Sequence, residues 1–274
     1  MTPSFAATIA DPPTGRRRAV LLDSHDYAQA VFLQGRPVPW HEPTAYANFV
    51  GQAQGVLASD LVLLSLDRFY AHRVESTSDL RQSMAARTRT GYALRTLLAD
   101  AETTRLAVEL ATVFTRTQRR PVMLQIPSPM QWLVRTQHFS GSTDPAELDA
   151  DDAENASMYV ADWLRGFADL NLAAVLLDDR TVTGGTPPMP VPVATYSPVA
   201  NVTDHYRWAL AQRGDAQIEV HGTGHLGSVV PPGFWLDDDG ALPSCALPGG
   251  EFLLGEIPPT AVPEFVLARI AGLD

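Results

Sequence analysis

An α/β fold built on a parallel sheet covered on both faces is predicted by three features of this chain. Its strand-like segments are almost continuous apolar runs, as expected of strands buried on both sides. Those runs alternate with segments of helical periodicity. The length of 274 residues lies near the lower end of the range for a (β/α)8 barrel of the TIM type. Five or six segments read as convincing strands. A complete barrel, a shortened or degenerate one and an open doubly wound sheet therefore all stay open. No internal repeat or linker divides the chain, so residues 19–274 are expected to form a single barrel domain after a flexible N-terminal arm, residues 1–18.

In chain order, AVLLD (19–23) reads as a buried strand. Ser24 can cap a helix that runs through Gln34 and stops at Gly35. Arg36 to Trp40 is an extended connector, because residues before proline avoid helical geometry. A helix over 43–58 leads to the strand LVLLSL (61–66). Good helix formers, with Leu94, Leu97, Leu98 and Leu106 at helical spacing, predict a long helical region over about 79–117. PVMLQI (121–126) is a strand. An acidic loop at 140–152 precedes a helix over about 153–170, and LAAVLLDD (172–179) is another strand. The proline-rich loop 183–198 leads to a helix over about 199–213, which Gly214 ends. QIEVH (217–221) and EFLLGEI (251–257) are the remaining strands, and Pro258 and Pro259 suit the first turn of a closing helix.

Composition removes several chemistries. All 20 basic residues are arginine, which excludes a Schiff-base lysine, lysine-anchored pyridoxal phosphate and a Walker-type phosphate lysine. The single cysteine, Cys245, excludes a cysteine-cluster zinc site and a cysteine-ligated iron–sulfur cluster. The net charge is −11, and residues 138–274 carry 5 arginines against 20 acidic residues. Such an acidic half repels phosphate backbones, so no nucleic-acid partner is expected. No stretch approaches the roughly 20 apolar residues of a membrane span, and Met1 to Ala10 lacks the form of a signal peptide. A cytoplasmic protein with a small-molecule substrate and no membrane partner is expected.

Residues at the carboxyl ends of parallel strands gather around one pocket. The segments above place Gln125, the pair Asp178 and Asp179, His221 and Glu256 at such ends, with Asp23 and His25 after the first strand. Carboxylate and imidazole suit general acid–base work, and Asp178, Asp179 and His221 are the candidate catalytic residues. Gln125, Arg180 and Glu256 are candidates for binding substrate, as are Trp40 and Trp235 in proline-flanked loops. With no lysine, a fixed cation in the pocket is arginine or a metal, and Arg180, Arg36 and Arg135 are candidate carboxylate clamps. His221, Asp178 and Glu256 could together hold a divalent metal, the one cofactor considered. Trp132, Trp163 and Trp208 fall on helical segments and read as packing. GTGHLG (222–227) matches a dinucleotide fingerprint by letter, but Ser-Val-Val-Pro-Pro follows where a helix is required.

Five segments together resemble the cobalamin-independent methionine synthase family and, behind it, the uroporphyrinogen decarboxylase superfamily. They are GRPVPWHEPTAYANFVGQAQGVLASDLVLLSLDRFYAHRV, RPVMLQIPSPMQWLV, MYVADWLRGFADLNLAAVLLDDR, IEVHGTG and FLLGEIPPTAVPEFVLARI. The resemblance implies a (β/α)8 barrel with its active site at the carboxyl ends of the strands. It places His221 at the family's zinc-binding histidine and Asp178 at the acid of an IDEP-like motif. Thr223 stands where the family has a cysteine, Asp179-Arg180 replaces that motif's glutamate and proline, and the final cysteine ligand has no counterpart. Zinc-assisted thiol alkylation needs thiolate ligands, so methionine synthesis is not expected. What remains is acid–base or metal-assisted removal or transfer of a small group: decarboxylation, dealkylation or lyase cleavage. The alternatives are a non-catalytic ligand-binding or partner subunit that kept the barrel and lost the metal, and a scaffold that forms a homodimer through the loops at 183–198 and 228–250.

Overall fold

The computed structural model describes residues 4–141, 144–181, 187–236 and 247–273. Its eight strands hydrogen-bond in chain order into a closed barrel. They are β1 (Ala19–Asp23), β2 (Leu61–Ser65), β3 (Val122–Pro127), β4 (Leu172–Asp178), β5 (Ala209–Arg213), β6 (Gln217–Val220), β7 (Leu226–Val230) and β8 (Phe252–Glu256). The helices are α1 (Phe5–Ala10), α2 (His25–Val31), α3 (Pro43–Leu57), α4 (Leu66–Ser76), α5 (Ser78–Met84), α6 (Tyr92–Ala99), α7 (Ala101–Thr117), α8 (Pro129–Ser140), α9 (Ala150–Leu164), α10 (Ser197–Tyr206), α11 (Gly233–Leu236) and α12 (Pro263–Ile270). Cys245, and parts of the segments 183–198 and 228–250, lie outside the described residues.

Alternate strand residues serve two cores. Val20, Leu22, Val62, Leu64, Leu124, Ile126, Val175 and Leu177 face the helices. Ala19, Leu21, Leu61, Met123, Ala174, Leu176, Ala211 and Leu254 fill the barrel. Since both sets are apolar, the strands read as unbroken runs with no visible period. Around the outside α3 packs on α7, and α8, α9 and α10 pack in succession.

The barrel is α/β and closed, but its strands are mixed. Six neighbouring pairs are parallel, while β6 runs antiparallel to both β5 and β7. No crossover helix joins β5 to β6. Gly214, Asp215 and Ala216 turn the chain directly, with the Gly214 amide bonded to the Gln217 carbonyl at 2.9 Å. Gly222 and Gly224, both at φ +74°, turn it again into β7. β6 exposes Gln217 and Glu219 while Ile218 and Val220 point into the barrel. Gly227 leaves room for the Phe252 ring, which a Cβ there would meet at 2.3 Å.

Three expectations about elements need correction. The segment 199–213 is not one helix, because α10 ends at Tyr206 and β5 follows. Trp208 therefore lies off the helix, packed at 4.9 Å from the Tyr206 ring. The helical region 79–117 is three helices. Gly91 at φ +76° starts α6, and the Asp100 carboxylate caps α7 by accepting from the Thr103 amide. The closing helix begins at Pro263, not at Pro258 and Pro259.

The arm is also ordered from residue 4 onward. Ser4 caps α1, and Phe5 packs edge-on against Phe252, centroid to centroid 5.4 Å, closing the amino-terminal end of the barrel. The buried Asp60 carboxylate accepts from the amides of Thr14 and Val20, both at 2.9 Å, and pairs with Arg16. Among the described residues no helix is long and apolar enough to cross a membrane.

Candidate active site

At the carboxyl end of the parallel strands the inward-facing positions turn from apolar to polar. Asp23 ends β1, Ser65 ends β2, Gln125 lies near the end of β3, Asp178 ends β4, Arg213 ends β5 and Glu256 ends β8. In register, Asp23 is paired with Glu256, Ser65 with Gln125 and Asp178 with Arg213. Loop residues complete the mouth: Arg68 from the first turn of α4 and Arg180 just past β4. Of these, Asp23, Arg68, Arg180, Arg213 and Glu256, together with Asp26, Asp215 and the turn Ile257 to Pro259, wall a cavity of about 540 Å³, while Ser65, Gln125 and Asp178 lie behind its lining.

The mouth is organised by three guanidiniums. Arg180 grips Asp178 with two bonds, Nε to Oδ1 at 2.8 Å and Nη2 to Oδ2 at 2.7 Å, and sends Nη1 to Glu256 at 2.7 Å. Arg213 donates from Nη2 to the same Glu256 oxygen at 2.5 Å. Across the opening Arg68 holds Asp23 and Asp26 at 3.1–3.2 Å and donates to the Ser65 hydroxyl at 2.9 Å. Burial pushes the Asp178 carboxyl up, but the Arg180 hydrogen bonds and charge, with Arg213 behind them, outweigh it and hold the group below its ordinary range. Asp26 is held far lower by its hydrogen bond with His25 and by Arg68, against a burial that raises it.

Arg213 differs from the other two. Its side chain is 1% exposed, and neither Nε nor Nη1 has an acceptor among the described residues. Its carboxylate partner is shared with Arg180. Gln125 is similarly incomplete: its Nε2 lies 3.5 Å from Asp178, and its buried Oε1 has no donor among the described residues.

The structure brings together Asp23, Gln125, Asp178, Arg180 and Glu256 among the residues singled out from sequence, and it separates His221, Asp179, Trp40 and Trp235 from them. His221 follows the antiparallel β6, so it lies at the opposite end of the barrel, where its amide bonds Leu210 O at 2.8 Å. The expected metal triad of His221, Asp178 and Glu256 does not assemble, and among the described residues no three His, Cys, Asp or Glu side chains form a metal site. Asp179 points away from the mouth and accepts from the Ser128 hydroxyl at the start of α8. Burial raises its pKa, with Asp178 adding to the rise. Trp40 stacks at 4.8 Å on Tyr46 and at 5.3 Å on His25 behind the mouth. Trp235 is wholly buried and packs against Gly255, where a Cβ would approach its ring to 2.6 Å. Neither tryptophan lines the cavity.

Arg213 and Arg68 line the mouth but are not among the candidates singled out from sequence. Arg213 was hidden inside a helix prediction, although ALAQR and QIEVH flank a Gly-Asp pair, a hairpin signal. Arg68 follows a predicted strand, but α4 starts at once at Leu66 with no capping side chain to announce it. The chain matches no family model, no curated protein and no solved structure.

Proposed function

We propose that the mouth of the barrel is the active site of a small-molecule enzyme acting on an anionic substrate, of lyase or small-group transfer type. Arg213 carries this reading. A guanidinium sealed from water with two nitrogens left without an acceptor is costly to the fold. A substrate carboxylate entering the cavity supplies Arg213 with acceptors that the described residues do not. Arg180, anchored by Asp178, completes the clamp. Glu256 sits between both guanidiniums with its side chain 38% exposed to the cavity, placed to take a proton from the carbon next to the bound carboxylate. Asp178 acts as a positioning residue, because Arg180 occupies both of its oxygens, whereas both arginines bond only Oε2 of Glu256.

One observation favours a second reading, ligand binding without turnover: Asp178 and Asp26 are both held ionised in ion pairs, which suits a fixed receptor as well as a catalyst. A thermal-shift screen of small carboxylic, hydroxycarboxylic and phosphorylated acids tests both readings when followed by mass spectrometry of the incubated hits. The expected result is a stabilising acid that no longer stabilises Arg213→Gln and whose conversion, but not binding, is lost in Glu256→Gln. Binding without any conversion selects the receptor. A ligand that stabilises Arg213→Gln as well as the parent refutes both.

A further inference from the structure

A second cavity, of about 360 Å³, opens on the same end of the molecule between α4, α6 and α8 and shares no lining residue with the mouth. Its walls are mainly apolar: Tyr70, Val74, Leu97, Trp132 and Phe139. Tyr70 and Trp132 meet edge to face at 5.4 Å and are 1% and 3% exposed. They form a rigid floor, further fixed by the 2.6 Å bond that Trp163 Nε1 donates to the Tyr70 hydroxyl. The volume lies within the roughly 300–1,000 Å³ typical of small-ligand pockets, which pair apolar walls with a few polar anchors.

The anchor is Arg135. It makes no hydrogen bond among the described residues, and its buried Nε has no acceptor there. Asp67 Oδ2 lies 3.8 Å from Nη1, a long ion pair but too far for a hydrogen bond. Arg81, the other guanidinium lining the cavity, is committed to the carbonyls of Val74 and Glu75 at the end of α4. A guanidinium fork with no hydrogen-bond partner among the described residues, beside an aromatic floor, suits a planar anion attached to an apolar body. Asp67 and Glu75 on the wall balance Arg81 and Arg135, which favours a ligand with one negative charge over one with several.

We infer that this cavity is a binding site for a hydrophobic monocarboxylate, aryl or medium-chain alkyl, with the carboxylate on Arg135 and the apolar part against Trp132 and Tyr70. This inference is independent of the chemistry assigned to the mouth.

Titration of the full chain with phenylacetate and with octanoate, followed by tryptophan emission and thermal shift, tests it, with 2-phenylethanol as the uncharged control. The expected result is saturable binding of at least one of the two acids. That binding should weaken about tenfold or more in Arg135→Met, as loss of a charge-assisted pair requires. Ala71→Trp, which fills the cavity without touching Arg135, should abolish it, and Trp132→Phe should remove the emission change. Arg213→Gln should bind both acids as the parent does. The inference is overturned if neither acid binds, if Arg135→Met or Ala71→Trp binds undiminished, if 2-phenylethanol binds as tightly as the acids, or if Arg213→Gln alone loses binding.

Discussion

Arg213 and Glu256 should respond very differently to removal, although they form one ion pair. Arg213→Met takes out a buried charge that is only partly compensated and leaves an apolar stem of similar reach. Its stability to urea should stay within about 1 kcal/mol of the parent or rise. Glu256→Ala leaves two guanidiniums sharing no carboxylate, one of them sealed from water. Breaking a fully buried pair costs about 3–5 kcal/mol, and the half-exposed Glu256 places this case nearer about 2 kcal/mol. Equal losses in urea melts would show that Arg213 is a structural cation and not a binding one. Gly227→Ala gives a steric counterpart. Its Cβ would lie 2.3 Å from the Phe252 ring in the closed interior, so a loss of about 1–3 kcal/mol or more is expected in thermal denaturation.

Among the elements, α1 is the one the sequence hid most completely. Six residues with no charge in the first or last turn cannot hold a helix alone, and Phe5 and Ile9 become informative only once Phe252 waits at the barrel end. Phe5→Ala should cost about 3 kcal/mol, as for other buried phenylalanines, while leaving ligand binding at the opposite mouth intact. A loss of binding with no loss of stability would contradict the assignment of this helix as a plug. The β5–β6 hairpin illustrates a different failure. Its apolar and polar residues alternate with the period of a half-exposed strand, and the period was legible in QIEVH. ALAQR, with two alanines and a glutamine, has helix-forming composition, and only the sheet neighbours Ala174 and Leu176 draw it into the barrel. Once β6 is reversed, a residue at its carboxyl end lies at the wrong end of the barrel, which is why His221 and Asp178 do not meet.

For the whole molecule, the paired carboxylates of the mouth set the response to acid. Asp178 has a folded pKa below its ordinary value of 3.8, so its contribution is present above that value and is lost as pH falls through the folded value. Asp26 behaves in the same way, over a range reaching lower still. Asp179 acts with opposite sign: its raised pKa means that ionisation above that value disfavours the folded state. Asp178→Asn should therefore flatten the loss of stability below about pH 4, and Asp179→Asn should raise stability near neutrality, both measured by urea unfolding across pH. An unchanged acid limb in Asp178→Asn would refute the Arg180–Asp178 pairing as a source of stability.

The amino-acid sequence by itself determined the α/β class, the apolar strands that form most of the wall and five residues of the mouth: Asp23, Gln125, Asp178, Arg180 and Glu256. Those features are local, since a run such as LAAVLLD is buried on both faces in any arrangement that covers it with helices. Tertiary structure alone decided closure, the direction of β6 and the pairing of each arginine. A hairpin turn and a crossover helix place the same strand in opposite directions, and a guanidinium is a clamp or a free anchor according to which carboxylate lies within about 3 Å. Arg180, with Asp178 beneath it, is held by hydrogen bonds, whereas Arg135 has only a 3.8 Å ion pair with Asp67 and no hydrogen bond among the described residues.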